Sequence, residues 1–439
     1  MTNSNSTKRA LLTSALALLM CVTMLVGTTF AWFTDTASTG VNKIQAGNLD
    51  IELQMKDASG KWVTAEGKTL DFVKAPGAEN EAILWEPGCT YNLQELQLVN
   101  KSNLALKYKV LISGIKGDAK LNEAIDWTIQ LGGQNLTIGE EMYWLPTEDT
   151  TKAFTISGSM KKDAGNQYQG LSIEGISITV VATQYTFEHD SKDDQYDKDA
   201  QFPEVKLVEK ATNEALATAV ASLNNGGTVV LPAGEYTIPT SAGNKEFTIS
   251  GTKDTVVKID TVNVNAGGAD VTFKGVTING QKSGNYAGLG NGCNVSFVDC
   301  TINGKISLYG EKASFVNCTF NNKNDYSVWT WGGKDVDFIG CTFNSGGKAL
   351  LVYGEYVQTN IDIINCTFND DGTLNTAKAA IEIGSDRATD THNINIKNVT
   401  VNGFAVNPEG ISTASNIWAN KNSMPKDRLN VVINGVDVY

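Results

Sequence analysis

The chain has 439 residues, a formal charge of −13, and 41% hydrophobic against 19% charged side chains. That balance builds real cores and excludes global disorder. The 48 acidic against 35 basic residues leave no cationic surplus to neutralise nucleic-acid phosphates, and His189 and His392 cannot supply a three-histidine zinc site. The length suits two or three domains, and 42 glycines against 8 prolines favour tight-turned β structure over helix bundles.

The N-terminus reads as a targeting segment. Lys8-Arg9 is a short basic region, Ala10 to Thr29 is apolar apart from small hydroxyl residues and Gly27, and Thr29-Phe30-Ala31 ends it on a small residue suited to cleavage after Ala31. A retained anchor is the alternative, since about 20 apolar residues span a bilayer. Loss of residues 1–31 removes Lys8 and Arg9 and no acid, which leaves 408 residues at a net charge of −15. The mature chain is then exported, strongly anionic, and expected in the extracellular space, at the cell surface or in a biofilm matrix.

The second region, 32–188, carries period-two alternation. Leu49-Asp50-Ile51-Glu52-Leu53, Leu93 to Val99 and Ile173 to Val180 each place apolar side chains on one face of a strand. Several such strands with Gly and Asn turns predict an antiparallel β-sandwich. The run Gly27 to Asp35 resembles the signal class cut by the SipW-type peptidase. Ala46-Gly47-Asn48-Leu49-Asp50, Trp85-Glu86-Pro87-Gly88 before a strand ending Val99-Asn100, and Ala182-Thr183-Gln184 with Glu188 and Asp190 follow in order. Together these motifs resemble TasA- and camelysin-like exported proteins. The resemblance implies a sandwich that assembles or docks at the cell surface, with signal peptidase as a partner during export.

An acidic linker, 189–207, holds Asp190, Asp193, Asp194, Asp197 and Asp199. Calcium is the one metal this run suggests. An EF-hand loop, however, needs Gly at its sixth position and Glu at its twelfth, and neither is present. A solvated hinge is the better reading, and no cofactor is expected.

The third region, 208–439, opens with a helical stretch, Ala211 to Leu223, with Ala215, Ala219 and Leu223 on one face. Gly226-Gly227-Thr228-Val229-Val230-Leu231-Pro232-Ala233-Gly234-Glu235-Tyr236-Thr237-Ile238 follows. Helix and run resemble the N-terminal cap and first rung of right-handed parallel β-helices of the pectate-lyase type. Independently of that likeness, the motif apolar-x-apolar-x-x-Cys/Val-Thr-apolar-Asn repeats. Its Cys/Val position falls at Val276, Cys300, Cys318, Cys341, Cys366 and Val399, and more loosely at Val436, with spacings of 24, 18, 23, 25, 33 and 37. Periods of this size signal a solenoid whose rungs share one core. Seven or more rungs are expected, with the largest loops after Asn344, Asn369 and Asn402.

The repeat decides the cysteines. Cys300, Cys318, Cys341 and Cys366 alternate with Val276 and Val399, so the site asks for a small apolar filler and not for a disulfide. Asn279, Asn303, Asn321, Asn344, Asn369 and Asn402 form a second ladder, suited to a turn and to amide bonding between rungs. The Asn-x-Thr sequons at Asn317, Asn365 and Asn398 are by-products of the repeat.

Site candidates are sparse. Asp386, Arg387, Asp390 and His392 cluster within seven residues, with Asp370-Asp371 and Glu382 as further carboxylates. The Gly-His-Gly and Arg-Ile-Lys signatures of polygalacturonases and the lyase Arg-x-Pro-x-x-Arg are missing. Trp329-Thr330-Trp331 sets two indoles on one side of an extended segment, with Tyr309, Tyr326 and Tyr353 as companions; a sugar-stacking platform and packing beneath a loop are equally compatible with that pattern. Two functions stand: an exported structural or adhesive protein whose solenoid binds polysaccharide, or a polysaccharide lyase or glycoside hydrolase acting on an acidic polysaccharide. Self-assembly is expected on two grounds. A freed Trp32–Gln45 segment could add to a neighbour's sheet, and a last rung ending uncapped at Tyr439 would leave unpaired backbone.

Overall fold

The computed structural model describes residues 34–38, 51–65, 68–102, 104–139, 141–146, 149–151, 153–185, 201–238, 245–259, 270–280, 287–289, 294–354, 358–406 and 415–439. The signal segment, the Ala46–Asp50 motif and most of the acidic linker lie outside them. The fold is all-β: antiparallel sheets first, then a parallel β-helix with a helix at its start. No helix among the described residues is long and apolar enough to cross a membrane.

Two antiparallel sheets face each other across one core. The first centres on the long strands Leu106–Gly117 and Ile173–Gln184, paired along nearly their whole length. The second runs through Ile51–Lys56, Leu96–Asn100, Phe154–Met160 and Ile125–Leu131. Ile51, Leu53, Leu96 and Leu98 alternate inward as the period-two pattern requires. Trp85 is buried; its Nε1 donates to the Ile173 carbonyl at 2.8 Å, and its ring meets Phe72 and Tyr91 edge-on. Trp127 lies over Gly158, where a Cβ would stand 2.6 Å from the indole, so that strand position needs glycine. Asn100 closes the neighbouring loop, its Nδ2 donating to the carbonyls of Leu104 and Pro146 at 2.8 Å.

One expectation changes here. Thr34–Ser38 is not a free arm. It pairs antiparallel with Ile173–Gln184 of its own chain, from Thr34 opposite Thr183 to Ser38 opposite Thr179. The segment is the edge strand of that sheet and pairs along one side with its own chain.

The β-helix winds through three parallel sheets. Its first sheet runs from Val205–Leu207 through Gly227–Val230 and successive rungs to Leu429–Ile433. The second runs from Gly234–Thr237 to Thr400–Asn402, and the third from Ala287–Leu289 to Trp418–Asn420. A helix, Asn213–Ser222, precedes them, with the Thr212 side chain accepting from the Ala215 amide as its cap. Its buried stripe is Leu216 and Val220, with Leu223 just past its end; of the face read from the sequence, Leu223 is buried and Ala215 and Ala219 lie on the margin. The stripe shifts because the larger side chains claim the core.

Inside, identical residues stack. Phe273, Phe297, Phe315 and Phe338 lie ring over ring at 4.9–5.1 Å between centroids. Phe320, Phe343 and Phe368 form a second stack at 4.4 and 4.6 Å. Each buried Phe contributes about 1.5–3 kcal/mol of transfer free energy. Cys300, Cys318, Cys341 and Cys366 are buried free thiols beside these stacks. Their Sγ atoms donate to the carbonyls of Phe273, Phe297, Phe315 and Phe338 at 3.3–3.4 Å. Burial, then contact with Cys300 and Cys341, pushes the Cys318 thiol well up, so it stays protonated. Cys89 is also free and half-buried, and Cys293 lies outside the described residues.

The residue before each Cys or Val turns the corner at positive φ: Gly275, Asp299, Asn317, Gly340, Asn365 and Asn398, at 52–65°. Gly, Asn and Asp are the types that tolerate this region, so the corner explains the composition of the motif and of its sequons. The second ladder stands on the outer side of the second sheet. Asn303 Nδ2 donates to Asn279 Oδ1, and Asn321, Asn344, Asn369 and Asn402 each donate to the asparagine one rung before, at 2.9–3.2 Å.

Two details depart from the sequence reading. After Asn344 only residues 346–349 separate two strands, so no large loop stands there. The last rung is not bare. Val436–Asp437 folds back antiparallel on Leu429–Ile433, the Val431 amide donates to the Tyr439 carbonyl at 3.3 Å, and the Tyr439 ring sits edge-on to Trp418.

Candidate functional site

The third sheet holds the densest set of site candidates. Ile306–Leu308, Val328–Trp329, Leu350–Tyr353 and Ile381–Gly384 lie in register, so Ser307, Trp329, Leu351 and Glu382 share one outward column. Tyr353 at the end of its strand, and Tyr309 and Trp331 just past the ends of theirs, stand on three successive rungs.

Tyr309, Trp329, Trp331 and Tyr353 are all half-exposed. Trp329 Nε1 donates to the Tyr353 carbonyl at 2.6 Å, which pins that indole. Trp331 meets it at 4.6 Å and 88°, so the two rings make an edge-to-face pair and not one flat platform. The Tyr353 ring lies on Gly384, where a Cβ would come within 3.0 Å of it, and the Tyr353 hydroxyl accepts from Asn422 Nδ2 at 2.9 Å. Asn422 Nδ2 also reaches Asp386 Oδ1 at 3.1 Å. Aromatic residues on successive rungs thus have, at the Tyr353 end, an exposed amide and carboxylate beside them. Asn422 belongs to no repeat, so nothing in the sequence marked it.

The catalytic candidates separate in space. Asp386 is exposed, whereas Asp390 and His392 are fully buried. Asp390 Oδ2 accepts from Ser385 Oγ at 2.5 Å, and the Arg387 amide donates to that same Ser385 oxygen at 3.0 Å. Arg428 donates to the carbonyls of Arg387 and Asp390. His392 Nε2 lies 3.2 Å from the Gly384 carbonyl, and burial holds its pKa below the ordinary value. These groups knit a corner together. Asp390 and His392 face the protein, where no dissolved substrate reaches them, and this corrects their reading as surface catalysts.

The other carboxylates are likewise engaged. Glu382 is buried on the sheet's outer side, accepting from Lys378 at 3.1 Å, from Lys421 at 3.4 Å and from the Tyr326 hydroxyl. Tyr326 is thus buried and not displayed for stacking. Asp325 pairs with Lys305 and Lys348, which outweigh its burial and hold it below the usual carboxylate range. Asp371 is held at about 2 by Lys323 and Thr373. Among the described residues no group of three or more His, Cys, Asp or Glu is arranged to hold a metal, and the Asp190–Asp199 run of the calcium reading lies outside them.

No family model matches the chain, and no curated protein does either. Among solved structures, the catalytic unit of a thermostable GH87 alpha-1,3-glucanase from Streptomyces thermodiastaticus strain HF3-3 is similar at 12% identity and a TM-score of 0.22, over 83% of this chain and 82% of that one. A GH87 alpha-1,3-glucanase catalytic domain in complex with tetrasaccharides gives 12% and 0.21, over 83% and 84%.

Proposed function

We propose that this is an exported cell-surface or biofilm-matrix protein with a structural, adhesive role, whose β-helix binds extracellular polysaccharide along the row Tyr309–Trp331–Tyr353. The carrying observation is that row: half-exposed rings on successive rungs, closed at one end by Asn422 and Asp386. Half-exposed aromatic rings on successive rungs suit contact with sugar rings, and the neighbouring amide and carboxylate suit their hydroxyls. The antiparallel region, read as TasA-like, is the docking or self-associating part of the same protein.

Binding is favoured over hydrolysis by the carboxylates. Glycoside hydrolysis uses two carboxyl groups flanking the bond. Here Asp386 stands exposed, while Asp390 and Glu382 are buried and bonded to neighbours. The test is affinity electrophoresis through soluble polysaccharides, neutral and acidic, with product release followed in parallel. Trp331→Ala should abolish retardation with an unchanged melting temperature, and no reducing or unsaturated ends should appear. Unaltered retardation in Trp331→Ala and in Tyr309→Ala would remove the reading, and product release lost in Asp386→Asn would replace it with an enzyme.

A further inference from the structure

The second sheet of the β-helix carries a surface that the aromatic row does not involve. From its third rung onward every strand repeats Thr-x-Asn: Thr277–Asn279, Thr301–Asn303, Thr319–Asn321, Thr342–Asn344, Thr367–Asn369 and Thr400–Asn402. The strands pair in register, so threonines face threonines and asparagines face asparagines. The middle residue of each strand points inward, and the Thr and Asn point out, half-exposed in five rungs and exposed in the last. Two parallel columns of small polar groups result, about 4.8 Å apart along the axis and about 6.6 Å across it.

The fold does not require this composition. In the first two rungs of the same sheet, the Thr column holds Glu235 and Val256, and the Asn column holds Thr237 and Lys258. The amide ladder stabilises the asparagines but uses at most one N–H and one oxygen of each, and the threonines take no part in it. Twelve consecutive outward positions without one charge also stand out on a chain with 19% charged residues and a net charge of −13.

We infer that this Thr–Asn face is a second binding site, for the flat hydroxyl-bearing surface of an insoluble, uncharged polysaccharide. Neutrality matches an uncharged ligand, since a charged column would have to shed its hydration on contact. A rigid array meeting a rigid lattice sums many weak hydrogen bonds with little ordering entropy to lose. A second copy of this chain fits less well: the face measures roughly 25 by 10 Å, far below the roughly 800 Å² per partner of a stable protein interface.

The test is depletion of the full mature protein from solution by microcrystalline cellulose and by chitin powder. The variant is Thr319→Glu with Thr367→Glu, charges of a kind the same column already carries at Glu235. Wild type should be depleted by at least one of the powders, and the double variant should need at least tenfold more powder, with its melting temperature held. Trp331→Ala should bind the powders as wild type does, which separates this face from the aromatic row. Absence of depletion by either powder overturns the inference, as does a double variant that binds normally. Incorporation into growing ice without depletion by the powders would overturn it as well, in favour of a lattice of water.

Discussion

The two halves of the molecule reach stability in opposite ways. In the antiparallel region each ring contact is unique: Phe72, Trp85, Tyr91 and Trp127 meet at five different angles, and Trp85 reaches the Ile173 carbonyl. In the β-helix the same contact recurs from rung to rung. A cluster couples its members, whereas a stack couples only neighbours, so stability there approaches a sum over rungs. The contrast teaches where a sequence is readable: repetition shows each position several times with its tolerated substitutes, and a unique contact shows it once.

The largest effects test that contrast directly. Trp85→Ala should cost about 3–5 kcal/mol, and so should Phe315→Ala in the middle of its stack. Chemical denaturation of double variants separates the two regimes. Phe273→Ala with Phe338→Ala, which share no ring contact, should add within about 0.5 kcal/mol, whereas Phe72→Ala with Trp85→Ala should deviate by more. Equal additivity in both pairs would dissolve the comparison.

That difference also marks how far the sequence could be read. The interchange of Cys with Val gave the inner ladder, and the fixed Asn gave the outer one, because each position is printed six times. The positive-φ corner was present in the same repeat, as Gly, Asp or Asn before each Cys or Val, but its meaning needed backbone angles. The site was less legible. Asp386, Arg387, Asp390 and His392 are neighbours in sequence, yet the corner leaves Asp386 exposed and Arg387 half-buried and buries the other two, which no local pattern foretells. The pairing of Glu382 with Tyr326 spans 56 residues and occurs once.

A smaller effect sharpens the account of the outer ladder. Asn344 donates to Asn321 and accepts from Asn369, so Asn344→Ala removes two bonds on a half-exposed face. At about 0.5–1.5 kcal/mol each, a loss of about 1–3 kcal/mol is expected. Asn402→Ala, at the exposed end with one such bond, should cost about half as much. Matching costs would mean that the ladder's worth lies in turn geometry and not in its amides.

Acid should weaken the β-helix through His392 and spare the antiparallel region. Burial depresses the His392 pKa in the folded protein. Below about pH 6.5 the unfolded chain takes up a proton that the folded site refuses, and stability falls as the pH drops from there toward the folded pKa. One proton limits the slope to about 1.4 kcal/mol per pH unit. Denaturation midpoints between pH 7 and 5 should show this slope in wild type and a shallower one in His392→Gln. An unchanged slope in the variant would assign acid sensitivity elsewhere.

The smallest effect bears on the thiols, where the two halves differ in kind. Cys89, half-buried at a unique turn, accepts from the Glu86 amide at 3.3 Å, whereas Cys341 is one filler among four. Val stands at the Cys341 position in two other rungs, so Cys341→Val should cost less than about 1.5 kcal/mol, the loss of its weak bond to the Phe315 carbonyl offset by added apolar volume. A charged substitute tests the same site from the other side: Cys341→Asp places a carboxylate where no cation stands and should prevent the surrounding rungs from closing. Thiol titration in denaturant under alkylation should find Cys89, Cys300, Cys318, Cys341 and Cys366 reduced. If instead Cys341→Val melted the β-helix as strongly as Phe315→Ala, the column would be a set of specific sulfur contacts, and its interchange with valine along the chain would lose its physical meaning.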